Sequence, residues 1–205
     1  MSNDDRRSHW DGVYSTKSED AVSWFEPSPD ISLALLREAG LQTDMAVVDI
    51  GGGASRLVDA LVALPVADIT VLDVSAAALR TAQARLPAGS TVQWITADVT
   101  TWLPERRYHL WHDRAAFHFL TEDRDQAAYV ATLKRALRPG GRAIIGTFAL
   151  DGPEKCSGLP VARYDADSLQ AVLGDDFKLL FSQRYDHSTP WGTSQRFQFS
   201  TFEIG

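Results

Sequence analysis

The chain has 205 residues, 44% of them hydrophobic and 23% charged, which suffices for one domain with a sizeable buried core. Its formal net charge of −7 comes without a lysine or arginine block, so RNA and DNA are unfavourable partners: an acidic surface repels phosphate backbones. The single cysteine, Cys156, excludes an internal disulfide and a cysteine-cluster metal site, and no apolar run approaches the roughly 20 residues that span a bilayer.

At the N-terminus, Met1-Ser-Asn-Asp-Asp-Arg-Arg7 has two basic residues but no apolar stretch behind them. It therefore does not read as a signal peptide, and a cytoplasmic location is the expectation. Residues 1–28 are unusually aromatic for a leader, with His9-Trp-Asp-Gly-Val-Tyr14 and Val22-Ser-Trp-Phe-Glu-Pro27. They read as a lid over a domain of residues 29–205, with Trp10, Tyr14 and Trp24 as walls and Lys17 meeting a carboxylate. The alternative is aromatic packing that tethers the N-terminus.

The first helix is expected after Pro29, carrying Ile31, Leu33, Leu35 and Leu36 and stopped at Gly40. Short apolar strands then alternate with helical patterns, the mark of βαβ units and a parallel sheet. Strands are predicted at 45–50, 68–73, 91–96, 108–111 and 142–148, with helices at 57–64, 76–86 and 125–137. A short helix at 166–173 precedes two β-branched and aromatic stretches, 177–185 and 193–204, around Pro190-Trp-Gly192. These read as an antiparallel hairpin closing the sheet edge.

The chemistry concentrates at strand ends. In Val47-Val-Asp-Ile-Gly-Gly-Gly-Ala-Ser55, glycines after a strand let the backbone approach a ligand closely, and Gly51 and Gly53 are the key positions. Asp49 suits a cationic ligand group, whereas a dinucleotide fold places a pyrophosphate at this turn. Asp73, ending the second strand, suits a pair of ribose hydroxyls. The alternative is that it caps the helix entered through Ser75. Asp98 follows the third strand, where it suits an adenine amino group, with Val99 as an apolar wall. Three acids in a row along the carboxyl edge of an open sheet favour S-adenosyl-L-methionine, whose ammonium and sulfonium are cationic, over NAD or FAD.

With these motifs the chain resembles the class I S-adenosylmethionine-dependent methyltransferases from Val47 to Phe148. Leu137-Arg-Pro-Gly-Gly-Arg-Ala-Ile-Ile145 resembles the family's turn into its fifth strand, and Tyr108-His-Leu-Trp-His-Asp-Arg-Ala-Ala-Phe-His118 its fourth strand and active-site segment. The resemblance implies an α/β, Rossmann-like three-layer sandwich whose seven-stranded sheet is mostly parallel and ends in an antiparallel C-terminal hairpin. It also implies a cofactor site of Trp10, Tyr14, Trp24, Asp49, Gly51, Gly53, Asp73, Val74, Asp98, Val99, His112 and Asp113, with S-adenosyl-L-homocysteine as product. Two positions depart from the family pattern: Ser55 replaces the usual third glycine, and His109 an aspartate common at the start of the fourth strand.

For the acceptor side, the candidates are His118 as a base, Arg114 as an anion holder and Tyr14. His118 is equally suited to packing on the sheet, and Arg114 to pairing with Asp113 or Glu122. The loop Asp151-Gly-Pro-Glu-Lys-Cys-Ser-Gly-Leu-Pro160 is expected to overhang the same edge, with Cys156 as a pocket residue or an incidental thiol. The leading expectation is methyl transfer to a small-molecule nucleophile such as a thiol or sulfide, by a monomer or weak homodimer. A protein-lysine N-methyltransferase, a non-catalytic cofactor-binding module and an NAD-dependent reductase are the alternatives.

Overall fold

The computed structural model describes residues 1–205. The chain begins with a helix that its hydrophobic pattern did not disclose, α1 (Asn3–Thr16). Ser2 and Asp5 form a reciprocal capping box at its start: the Asp5 N–H donates to the Ser2 hydroxyl, and the Ser2 N–H to the Asp5 carboxylate. No residue of α1 is fully buried, so it lacks the apolar stripe by which a helix is recognised. The helix expected after Pro29 is α2 (Asp30–Glu38), with Leu35 and Leu36 buried.

The alternation then proceeds as β1 (Ala46–Ile50), α3 (Leu57–Ala63), β2 (Asp68–Asp73), α4 (Ala76–Arg85), β3 (Val92–Thr96), β4 (Tyr108–Arg114), α5 (Asp123–Ala136) and β5 (Leu137–Phe148). A small ribbon, β6 (Lys155–Cys156) with β7 (Leu159–Pro160), occupies the loop after β5, and α6 (Ala166–Leu173), β8 (Phe177–Ser188) and β9 (Ser194–Ile204) complete the chain. Seven strands form one sheet in the order β3-β2-β1-β4-β5-β9-β8. The first five are parallel, and β9 inserts antiparallel between β5 and β8. The expected mostly parallel sheet with a C-terminal hairpin is therefore present.

Period-two alternation along the strands divides the core into two layers. From β1, Ala46, Val48 and Ile50 join Trp111, Tyr129 and Leu133 on the face covered by α5 and α6. Val47 joins Leu36, Leu57 and Leu79 on the face covered by α2, α3 and α4. Two boundaries differ from expectation and matter for function. Strand β4 runs three residues further, taking His112, Asp113 and Arg114 into the sheet. Strand β5 starts at Leu137 and absorbs Pro139-Gly-Gly141, with an irregular register where Tyr108 pairs with Leu137 and Leu110 with Arg142. No helix is long and apolar enough to cross a membrane.

Candidate active site at the carboxyl edge of the sheet

The turn after β1 places Gly51 at φ +64° and Gly53 at φ +33°, in the left-handed region that glycine enters freely. Both Gly51 and Gly52 donate their N–H groups to the Leu72 carbonyl, at 2.8 and 3.3 Å. A Cβ on Gly52 would lie 2.5 Å from Asp49 Oδ2, and one on Gly53 would lie 2.6 Å from Asp73 Oδ2. The glycines thus allow the loop to lie against two acids at once. Gly51 lines the cleft described below; Gly53 instead packs on Asp73 and Ala78.

Asp49 and Asp73 are both buried. Asp49 is oriented by His112, whose Nδ1 lies 2.7 Å from Asp49 Oδ1 while its Nε2 lies 3.0 Å from the Ser32 hydroxyl. Asp73 accepts the Ser75 N–H at 2.7 Å. Burial, with the neighbouring negative charges of Asp49 and Asp11, raises its pKa to about 7 despite that bond. The Ser75 hydroxyl caps the Ala78 N–H at the start of α4, so the capping role open to Asp73 belongs to Ser75.

The strand alternation of β4 separates three residues that the sequence placed together. His112 and Arg114 project toward the leader side, where both line a chamber of about 580 Å³. Asp113 projects to the opposite face and does not reach the cleft. Buried there, it accepts the Tyr129 hydroxyl at 2.7 Å and the N–H groups of Ala116 and Phe117 at 2.8 and 3.1 Å. Its expected cofactor role is corrected to that of a support beneath the turn at residues 115–117.

His118 is likewise corrected. It sits in a 3-10 turn at Phe117–Phe119 with no solvent exposure. Its Nδ1 accepts the Phe148 N–H at 3.3 Å, and Phe119 and Phe148 pack on its ring. Burial and the Arg114 charge lower its pKa to about 3, so it packs on the sheet and is not placed to serve as a base. In an NMR titration its imidazole resonances are expected to stay at neutral positions from pH 5 to 8. An inflection near 6.5 would contradict this account.

The main cleft spans about 860 Å³, a figure that takes in the open solvent at its mouth. One end is formed at the tips of β1, β2 and β3 by Gly51, Asp73, Val74, Asp98 and Val99; the other gathers Phe119, Phe148, Cys156, Gln195 and Phe197. Trp10, Tyr14 and Trp24 of the leader line it as well. Trp10 meets Trp24 and Phe119 edge to face, with ring centroids 5.6 and 5.0 Å apart. Tyr14 accepts the Trp24 indole N–H at 3.1 Å, and burial with the nearby Asp73 pushes its pKa far above the ordinary phenol value.

Asp98 does line the cleft, but its carboxylate is already engaged. Oδ2 receives the Arg6 Nε–H at 2.7 Å, and Oδ1 receives the Thr100 N–H and hydroxyl at 2.9 and 2.6 Å. The adenine amino contact expected of it has to be shared with these donors. Cys156 is buried against the cleft, and burial raises its thiol pKa to about 11, which keeps it protonated and inert.

Polar fastenings that the sequence did not reveal hold the leader along this edge. Arg6 pairs with Asp98 and Asp125. Asp11 accepts the Ser75 hydroxyl at 2.7 Å and the Ala77 N–H at 3.3 Å, at the positive end of α4. Glu19 pairs with Arg56 and Arg85. Glu26 meets Arg114 Nη2 at 3.0 Å and His187 Nδ1 at 3.4 Å, while Arg114 also donates to the Trp24 carbonyl at 3.0 Å. Arg114 thus pairs with the leader rather than with Asp113 or Glu122, over the Phe197 ring. Lys17, expected to meet a carboxylate, is the exposed C-cap of α1. Sequence reasoning also missed Arg6, Glu26, Gln195 and Phe197. The only local signal for Arg6 is the basic pair Arg6-Arg7, which carries no trace of its distant partners.

Residues 47–141 match the family model described as a methyltransferase domain. Trans-aconitate 2-methyltransferase of Methylobacterium radiotolerans is 33% identical over 108 residues, 52% of this chain but only 39% of that protein. Among solved structures, one described under the conversion of a disulfide bond into a thioacetal group during echinomycin biosynthesis superposes with a TM-score of 0.73 at 24% identity, over 97% of this chain and 92% of that one. The N-methyltransferase NodS from Bradyrhizobium japonicum WM9, in complex with S-adenosylhomocysteine, gives 0.72 at 16% identity, over 98% and 99% of the two chains. At these identities the structural likenesses establish the fold. Residues 47–141 thus match a methyltransferase domain, and the chain as a whole has the fold of the S-adenosylmethionine-dependent methyltransferases.

Proposed function

We propose that the protein transfers a methyl group from S-adenosylmethionine to a small-molecule nucleophile, with a thiol or sulfide as the favoured acceptor. The observation that carries this reading is the cleft itself: acids at the strand tips at one end, and at the other aromatic walls without an available base. Its residues fit the cofactor. Asp73, buried and with acceptor capacity to spare, suits two ribose hydroxyls, Val74 and Val99 suit the flanks of the base, and Asp49, which lines the adjoining chamber that shares Gly51 with the cleft, suits the ammonium. When bound, S-adenosylmethionine supplies an electrophilic methyl group on a sulfonium.

The remaining work falls to positioning and the exclusion of water. Trp24, Phe119, Phe148 and Phe197 dry and shape the acceptor end. His118 is sealed in the core, Tyr14 holds its proton, and Glu26 is paired with Arg114. A nucleophile that needs little help losing a proton suits such a pocket: a sulfide has none to lose, and a thiol ionises at about 8.5 in water. The structure from echinomycin biosynthesis, whose description concerns sulfur chemistry, lends support. Leader and hairpin wall the acceptor end, which also favours a small acceptor over a lysine on a protein surface.

Two measurements test the reading. Isothermal titration is expected to show S-adenosylhomocysteine binding and no NADH binding; the reverse would overturn it. A methylation screen across thiols, carboxylic acids and amines is expected to give turnover first among the thiols, and cofactor binding without turnover on any acceptor would indicate a sensing module.

The cofactor affinity is also expected to depend on pH. Asp73 has a pKa of about 7 in the cofactor-free protein, and ribose hydroxyls donate best to its ionised form. Below pH 7 binding must therefore expel a proton, and affinity is expected to fall by up to tenfold per pH unit while staying level above it. In Asp73→Asn this slope should vanish.

A further inference from the structure

We propose that Arg6 of α1 forms a wall of the adenine subsite, presenting the flat face of its guanidinium to the base, and that Asp98 serves the cofactor chiefly by holding Arg6 in place. The inference rests on reading the cleft as an S-adenosylmethionine site. Arg6 lines the cleft at the same end as Val74, Ala97 and Val99, the tips of β2 and β3. Its side chain is only 11% exposed, which is unusual for an arginine this close to a chain terminus.

Every nitrogen of the guanidinium is engaged at its edge. Nε donates to Asp98 at 2.7 Å and Nη1 to Asp125 at 2.9 Å, while Nη2 donates to the Asn3 side-chain oxygen at 2.9 Å and the Thr100 hydroxyl at 3.3 Å. The N–H bonds of a guanidinium lie in its plane, so an edge committed in this way leaves a ligand the face and the apolar stem. A guanidinium face stacks well on planar π systems, and it does so better when partners have already removed its water. The two carboxylates around Arg6 outnumber its charge. The subsite thus suits a neutral heteroaromatic base and disfavours a phosphate group.

The test uses the full chain and two ligands, S-adenosylhomocysteine and 5′-methylthioadenosine, the latter lacking the amino-acid end. Arg6→Met is expected to weaken both by about tenfold in isothermal titration. Arg6→Lys keeps a positive charge for Asp98 but has no planar face, and is expected to lose nearly as much. In the unaltered protein, NMR should show nuclear Overhauser contacts between the adenine ring protons and the Arg6 side chain, a readout that does not depend on any variant folding. Full affinity in Arg6→Lys would overturn the proposal, since charge alone would then suffice, as would the absence of those contacts. Failure of the unaltered protein to bind S-adenosylhomocysteine would overturn the cofactor reading and this inference with it, and it is recognised without any variant.

Discussion

Asp73→Ala is expected to weaken S-adenosylhomocysteine binding about a hundredfold at pH 8 while leaving the cofactor-free protein at least as stable as the parent. The two effects have one cause. Asp73 is buried beside Asp49 and Asp11, and its pKa stands near 7 instead of its ordinary 3.8. A carboxyl whose folded pKa is raised contributes stability that is complete below the unfolded value and is lost as pH rises through the folded one. At pH 8 the ionised group is therefore a net cost to the fold, on the order of a few kcal/mol, which alanine removes at the expense of the Ser75 N–H bond, about 1–3 kcal/mol. Binding reverses the account, because two ribose hydroxyls donating to a charged, desolvated acceptor are worth about 1.5–3 kcal/mol each. Isothermal titration and a thermal melt at pH 8 check both halves. Undiminished affinity would remove Asp73 from the cofactor site, and a large fall in melting temperature would refute the electrostatic cost.

Asp113→Ala should have the opposite profile: the cost of ionising a carboxyl that burial raises to about 6 offsets only part of the loss of three donors' partner, leaving unfolding free energy lower by about 1–2 kcal/mol. Removing this carboxylate strands the Tyr129 hydroxyl and the N–H groups of Ala116 and Phe117 in the core. The Trp111 indole N–H, which donates to the Tyr129 hydroxyl at 2.8 Å, belongs to the same chain of bonds. Above this support the backbone turns through Ala115 at φ +69°, a conformation that costs a non-glycine residue energy and persists only where its surroundings enforce it. Because Ala115 and Ala116 floor the cleft, ligand binding is expected to weaken along with stability. Urea unfolding measures the effect, and a change within 0.5 kcal/mol would mean that the turn is held by something else.

Much of the fold was legible because its strands and inner helices carry periodic apolar patterns, and because Gly51, Gly53 and the terminal acids sit where backbone geometry requires them. Asp73 could be found from its place at a strand tip. The errors arise where local sequence does not set orientation. Ending β4 at Trp111 made His112, Asp113 and Arg114 seem one loop cluster; three further strand residues send Asp113 to the face opposite its neighbours. His118 looks like a base in sequence, but its 3-10 turn directs it inward. The leader was recognised by its aromatics, whereas its polar fastenings depend on partners 37 or more residues away, as in Glu19 with Arg56 and Arg6 with Asp98. No short window of sequence contains such pairs.

The position of the leader has a thermodynamic consequence. The same segment supplies Arg6 at the adenine end of the cleft and Trp24 at the acceptor end, and its fastenings run between them. Whatever binds at one end and tightens the leader also prepares the other, since the ordering entropy has then been spent. By reciprocity, an acceptor analogue must then raise the affinity for the cofactor by the same factor as the cofactor raises the affinity for the analogue. Positive cooperativity between the two ligands is therefore expected, carried by a strap that belongs wholly to neither.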